Sequence, residues 1–171
     1  MTRSSAREIA IHCSYSLGFS HETADEFLEE RLNKENFQRW SQESALYKEY
    51  PNEKQLQYIK ELVRGVANHG PELDQYIAQY AKDWSFARIP LPAAAIMRVA
   101  MYEILYMPDI PAAAAINDAV EIAKKYEDGK VVSFINGILG AFVRAEFPEQ
   151  FQDKKLARAE VEPATEHEEE A

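Results

Sequence analysis

One cysteine, six glycines and no long apolar run set the first limits on this chain of 171 residues. With Cys13 alone, no intrachain disulfide can form. No stretch approaches the roughly 20 consecutive apolar residues of a membrane helix. The opening MTRSSAREIAIHCSYSLGF lacks the apolar centre of a secretion signal, so the expected location is the cytoplasm. Histidine is scarce, and His12, His21, His69 and His167 show no metal-ligand spacing with a third ligand nearby. There is no glycine-rich phosphate loop and no G-x-S-x-G. Cys13 falls on the apolar side of a helical pattern, which points to a core thiol rather than a nucleophile. Nothing in these patterns supports catalysis, a cofactor or a metal.

Positive charge is also in short supply. Acids outnumber bases 29 to 19, for a net charge of −10. The last 21 residues hold seven acids and three bases, so the first 150 still carry −6. An acidic body argues against broad electrostatic binding to nucleic acid and leaves room only for a local basic patch. Apolar material is plentiful: 46% hydrophobic residues, with nine Tyr, eight Phe and two Trp, enough for a sizeable core.

The chain reads as helical throughout, with no strand pattern and no internal repeat. Ser4 or Ser5 can cap a first helix to Leu17, whose stripe is Ala6, Ile9, Ala10, Cys13 and Leu17. A second is expected over His21–Asn33, capped by Ser20. Residues 34–52 have no clean period and read as an extension of that helix followed by a connection. Asn52 to Gln55 has the form of a capping box before a stripe of Leu56, Ile59, Leu62, Val63 and Val66. Gly70-Pro71 is a stop and restart, and the next helix carries Leu73, Tyr76, Ile77, Tyr80 and Trp84. Residues 93–106, AAAIMRVAMYEILY, are apolar nearly all round and read as a central buried helix. Two more helices follow, one opening at Pro111 and one after the turn Glu127-Asp128-Gly129. Gly137 within the last implies a close backbone approach, and Asn136 an internal hydrogen bond. Beyond Pro148 a short helix over 152–160 and a disordered acidic tail from Val161 are expected. The class is all-α, with about seven helices joined mostly by short loops.

Three polar features stand out. Arg3 and Arg7 share a face at a helix start, where two like charges oppose the dipole; they are either solvated arginines or contacts for an anion. Tyr102 and Glu103 interrupt the central helix; Glu103 is either an internal partner of Arg98 or Arg88 or a docking residue. Asn117, Asp118 and Glu121 form a polar strip that either caps a neighbour or meets a partner.

The run from Arg98 through Tyr102-Glu103, Asp109-Ile110-Pro111, Ala115-Ile116-Asn117, Ala119-Val120-Glu121, Ala123-Lys124-Lys125 and Phe134-Ile135-Asn136-Gly137-Ile138-Leu139 resembles the NusB family of bacterial transcription antitermination factors. Trp84 and Arg88 fit upstream, as do Arg3 and Arg7, so the resemblance covers about residues 3–145. It implies two packed three-helix bundles, about 3–50 and 53–145, within a helical domain of residues 1–150, followed by the short helix and tail of 151–171. It also implies a factor that binds boxA-type RNA together with NusE, the ribosomal protein, within a transcription elongation complex, with a homodimer as a further state. Carried onto this sequence, the RNA contacts are Arg3, Arg7, Lys130, Ser133 and Phe134. The protein-partner contacts are Tyr102, Glu103, Asn117 and Glu121. The resemblance implies no cofactor, no metal and no enzymatic activity. Stretch 34–52 looks like an insertion, and the tail an addition. The thin arginine set and acidic body favour an alternative, a non-catalytic interaction module of this fold with weak or lost RNA binding.

Overall fold

The computed structural model describes residues 1–82 and 84–151. The expected helix over 152–160 and the acidic tail lie outside them. Among the described residues there are nine α-helices and no strand: α1 Arg3–Leu17, α2 Ala24–Arg31, α3 Lys34–Trp40, α4 Glu53–Asn68, α5 Gly70–Tyr80, α6 Leu91–Tyr106, α7 Ala112–Tyr126, α8 Gly129–Glu146 and α9 Pro148–Phe151. Single 3-10 turns cover Ala45–Tyr47 and Phe86–Arg88.

Side-chain caps decide where the helices begin. Thr2, not Ser4 or Ser5, accepts the Ser5 N–H and starts α1. Thr23 and Glu26 form a capping box, so α2 starts after Thr23 and not at His21. Asn52 and Gln55 form the expected box before α4. Asp128 accepts the Val131 N–H at the start of α8. Stretch 34–52 is not an extension of α2. Asn33 caps a separate helix, α3, and Asn36 donates to the Glu30 and Arg31 carbonyls at the end of α2. Trp40, Tyr47 and Tyr50 gather around the buried Phe37 ring, at centroid distances of 5.0–5.9 Å. These rings anchor the connection that follows α3.

α6 is the axis of the fold. Eleven of its residues are buried, and it packs against α1, α4, α5, α7 and α8. α1, α2 and α4 form one group of mutually packed helices, so α4, which the sequence reading placed with the second bundle, packs on the first. α6, α7 and α8 form the other group, with α5 against α6 and α8. A single hydrophobic core runs through both.

The close approach expected at Gly137 is found instead at Gly65. A Cβ on Gly65 would overlap the tip of the Tyr102 ring, so glycine is what lets that ring from α6 lie flat against α4. Gly137 is exposed, with nothing within 4 Å of an added Cβ, and Asn136 is exposed as well. α5 ends at Tyr80, which leaves Trp84 in the connection to α6.

Candidate RNA and protein interface

The sequence-predicted polar residues separate into a buried group and an exposed group. Arg7 is only 2% exposed and Glu103 is fully buried. Arg7 Nε and Nη2 donate to the two Glu103 carboxylate oxygens at 2.5 and 2.8 Å, and Nη1 donates to Asp118. Burial alone pulls the Arg7 pKa down, and the Glu103 carboxylate outweighs it and holds the pKa above its ordinary value. This bidentate pair ties α1 to α6, and Asp118 adds α7. The expectation that Arg7 meets RNA and that Glu103 meets a protein is corrected: their charges are spent on each other. Glu103 is the internal partner that one reading foresaw, with Arg7 in place of Arg98 or Arg88. Arg98 donates instead to Asp74, at 2.6 Å. Tyr102 is buried too, under Gly65 and beside the His69 ring, which removes it from a docking surface.

A second internal network joins the 34–52 segment to the rest. Glu8 accepts from the Tyr126 hydroxyl at 2.6 Å and from Lys125 Nζ at 2.9 Å. Tyr126 has one proton and gives it to this carboxylate, so the His12 Nε2–H donates to the Tyr126 oxygen. His12 Nδ1 then accepts from the Tyr47 hydroxyl, also at 2.6 Å. With His12 neutral each donor of this relay has an acceptor, and burial lowers the His12 pKa.

Beside this network lies a cavity of about 490 Å³, walled by Tyr15, Phe27, Arg31, Trp40, Tyr47 and Tyr126. Cys13 also lines it, with its thiol pushed up to about 12 by burial, so it stays protonated. Phe19 is 65% exposed and sits edge-on to the lining residue Tyr15, at a centroid distance of 5.2 Å. No helical stripe or motif in the sequence singles out this aromatic face. Its one signal is that Tyr15 and Phe19 fall off the periodic stripe that buries α1.

The remaining candidates are exposed. Asn117 and Glu121 lie on the outer side of α7, with Glu121 accepting from Lys124 at 2.7 Å. Lys130 and Ser133 are exposed on α8 and Phe134 is half-buried beside them. Trp84 packs on Phe134 with ring centroids 4.7 Å apart, and Lys130 Nζ stands 5.7 Å from the Trp84 centroid. Arg3 is exposed elsewhere, in a depression shared with Tyr106, Met107, Pro108, Asp109 and Ile110. That depression is at the C-terminal end of α6. The α7–α8 turn is at its other end, since Tyr126 and Pro92 line the same cavity. α6 is about 24 Å long at 1.5 Å per residue. Arg3 and the Lys130 group therefore do not form one patch.

Among the described residues no cluster of His, Cys, Asp or Glu could hold a metal, and no helix is long and apolar enough to cross a membrane. The described residues form an all-helical scaffold with the buried Arg7–Glu103 charges paired internally, an exposed aromatic face at Tyr15, Phe19 and Tyr126, and a small basic-aromatic row at Lys130 and Phe134. The chain belongs to the NusB family, whose family model matches residues 4–144. It is 33% identical over 144 residues to the transcription antitermination protein NusB of Symbiobacterium thermophilum, covering 84% of this chain and 90% of the relative. It is 38% identical over 140 residues to the protein of that name from Carboxydothermus hydrogenoformans, covering 82% and 91%. Among solved structures it is similar to NusB of T. maritima, with a TM-score of 0.71, 25% identity and coverage of 89% and 98%. It also shares its fold with a chain from a complex of antitermination factors NusB and NusE with double-stranded RNA, at a TM-score of 0.66, 24% identity and coverage of 84% and 96%.

Proposed function

We propose that this protein is a transcription antitermination factor that binds boxA-type RNA together with NusE and acts as a non-catalytic adaptor in an elongation complex. Relatives that carry the name transcription antitermination protein NusB, at 33–38% identity over most of both chains, support the reading. The observation that carries it on this chain is the separation of two uncovered faces on one rigid core. The basic-aromatic row of Lys130, Ser133 and Phe134 suits RNA, with Arg3 as a more distant phosphate contact. The aromatic face of Tyr15, Phe19 and Tyr126 suits a protein partner, since exposed large aromatics are what interface cores use. Asn117 and Glu121 stay in the proposal as exposed polar contacts on α7. Each contact alone is modest, and joining them raises the effective concentration of the second.

A titration of labelled boxA-type RNA against the chain, with and without NusE and at two salt concentrations, tests this. Binding should be weak alone, tighter with NusE, and weaker at high salt, because few phosphates are neutralised but each matters. RNA binding that is absent under every condition would refute it. The burial of Arg7, which leaves Arg3 as the one exposed arginine on α1, favours the second reading of an interaction module without RNA binding. That reading predicts NusE binding with no RNA binding in the same titration.

A further inference from the structure

Residues 81–90 connect α5 to α6 around the single 3-10 turn Phe86–Arg88. Within this connection Trp84 lays its ring on α8. Phe134 lies 4.7 Å away, centroid to centroid, tilted by 36°, and Lys130 Nζ lies 5.7 Å from the indole centroid. Lys130 and Phe134 are four residues apart, so they share one row of α8 and both reach the same indole. Trp84 remains half-buried rather than covered.

Basic residues lie in this connection and on the facing row of α8. Lys82, Arg88 and Lys130 are exposed, and none of the three forms a salt bridge among the described residues. Asp128, the cap of α8, accepts the Val131 N–H at 3.0 Å. Several other cations are paired: Arg7 with Glu103, Arg98 with Asp74, Lys124 with Glu121 and Lys125 with Glu8. A half-buried indole beside cations that form no salt bridge among the described residues is a combination suited to single-stranded nucleic acid. The ring supplies a stacking surface to any base, and the cations meet the phosphates on either side.

We propose that Trp84 is a base-stacking residue of this protein, with Lys130 and Arg88 as its phosphate contacts and Phe134 as the backing that holds the indole. The inference rests on the proposed RNA binding and names the residue that reads it. Phe134 and Trp84 each take one side of the other, and the indole is the larger ring. Lys130, now over the ring, can swing on its flexible stem to a phosphate and clear the stacking face.

Fluorescence anisotropy of a labelled single-stranded boxA-type RNA with the full chain tests this, with NusE present. Trp84→Ala should weaken binding about tenfold or more, within the range for loss of one base–aromatic stack. Trp84→Phe should recover most of the affinity, because a smaller ring still stacks. In a Trp40→Phe background, Trp84 is the one remaining indole, and its emission should be quenched as RNA is added. This readout needs no change at Trp84 and so holds even where Trp84→Ala disturbs folding. RNA binding that persists in a folded Trp84→Ala protein, or that leaves the Trp84 emission unchanged, overturns the assignment while leaving RNA binding intact. Failure of the unaltered chain to bind the RNA overturns both the assignment and the reading beneath it.

Discussion

Replacing Glu103 by Ala should destabilise the protein severely without touching its surface. Glu103 is fully buried, and its two carboxylate oxygens take the Nε–H and Nη2–H of an arginine that is itself 2% exposed. Removing one member of such a pair leaves the other charge buried without its main counter-charge, at a cost of about 3–5 kcal/mol. Asp118 still accepts from Arg7 Nη1 and is 30% exposed, which admits water and places the expected loss toward the lower end, about 3 kcal/mol. For a chain of this size each kcal/mol lowers Tm by about 2–4 °C, so a fall of roughly 6–12 °C is expected. Thermal melting followed by circular dichroism, with urea unfolding at 25 °C for the free energy, reads this directly. Replacing Arg7 and Glu103 together by Met and Leu should recover much of the loss, because an apolar pair of similar volume leaves no stranded charge. A Glu103→Ala protein within about 0.5 kcal/mol of the parent, as expected of a surface change, would refute the buried-clamp account and return Glu103 to the docking surface.

Two glycines should respond in opposite directions. Gly65→Ala should cost about 1–3 kcal/mol, as overpacking does, since its Cβ would overlap the Tyr102 ring. Gly137→Ala should stabilise by about 1 kcal/mol, because it adds helix propensity where nothing lies within 4 Å. Equal effects in urea titration would contradict this packing. Stability should also fall as pH drops below about 6.5: burial depresses the His12 pKa, so the unfolded chain takes up the proton first and folding loses ground on acidification. His12→Gln should flatten that part of the pH–stability curve, and an unchanged slope would mean the Tyr47–His12–Tyr126 relay carries none of it. Phe19→Ser should weaken NusE binding in calorimetry with Tm moved by less than about 2 °C, as a 65% exposed side chain contributes little to the core. Full affinity in this variant would place the partner elsewhere.

Periodicity made most of the fold legible. The apolar surround of α6 marked it as central, and Asn52–Gln55 marked the start of α4, because each is a local signal with a local cause. Helix starts decided by threonine caps were less legible, since Ser4, Ser5 and Ser20 compete with Thr2 and Thr23 on equal chemical terms. The candidate site was harder. Arg7 and Glu103 are 96 residues apart, and nothing in one sequence pairs them. Read singly, each looks like a charge seeking a partner outside. Trp84 has the same difficulty: at helical spacing it extends the α5 stripe, and only the early end of α5 at Tyr80 frees it to reach α8. Gly65 and Gly137 are indistinguishable by pattern, because what a glycine meets is set by the neighbouring helix.

On the proposed function, two separate faces of one core take two different partners. Amide chemical-shift mapping of the labelled protein, with RNA and NusE added in turn, tests it most directly. RNA should move Trp84 and the Lys130–Phe134 row. NusE should move Tyr15, Phe19 and Tyr126. Arg7 and Glu103 should stay still under both. Shifts from both partners falling on the same residues, or RNA shifts centred on Arg7, would contradict the account.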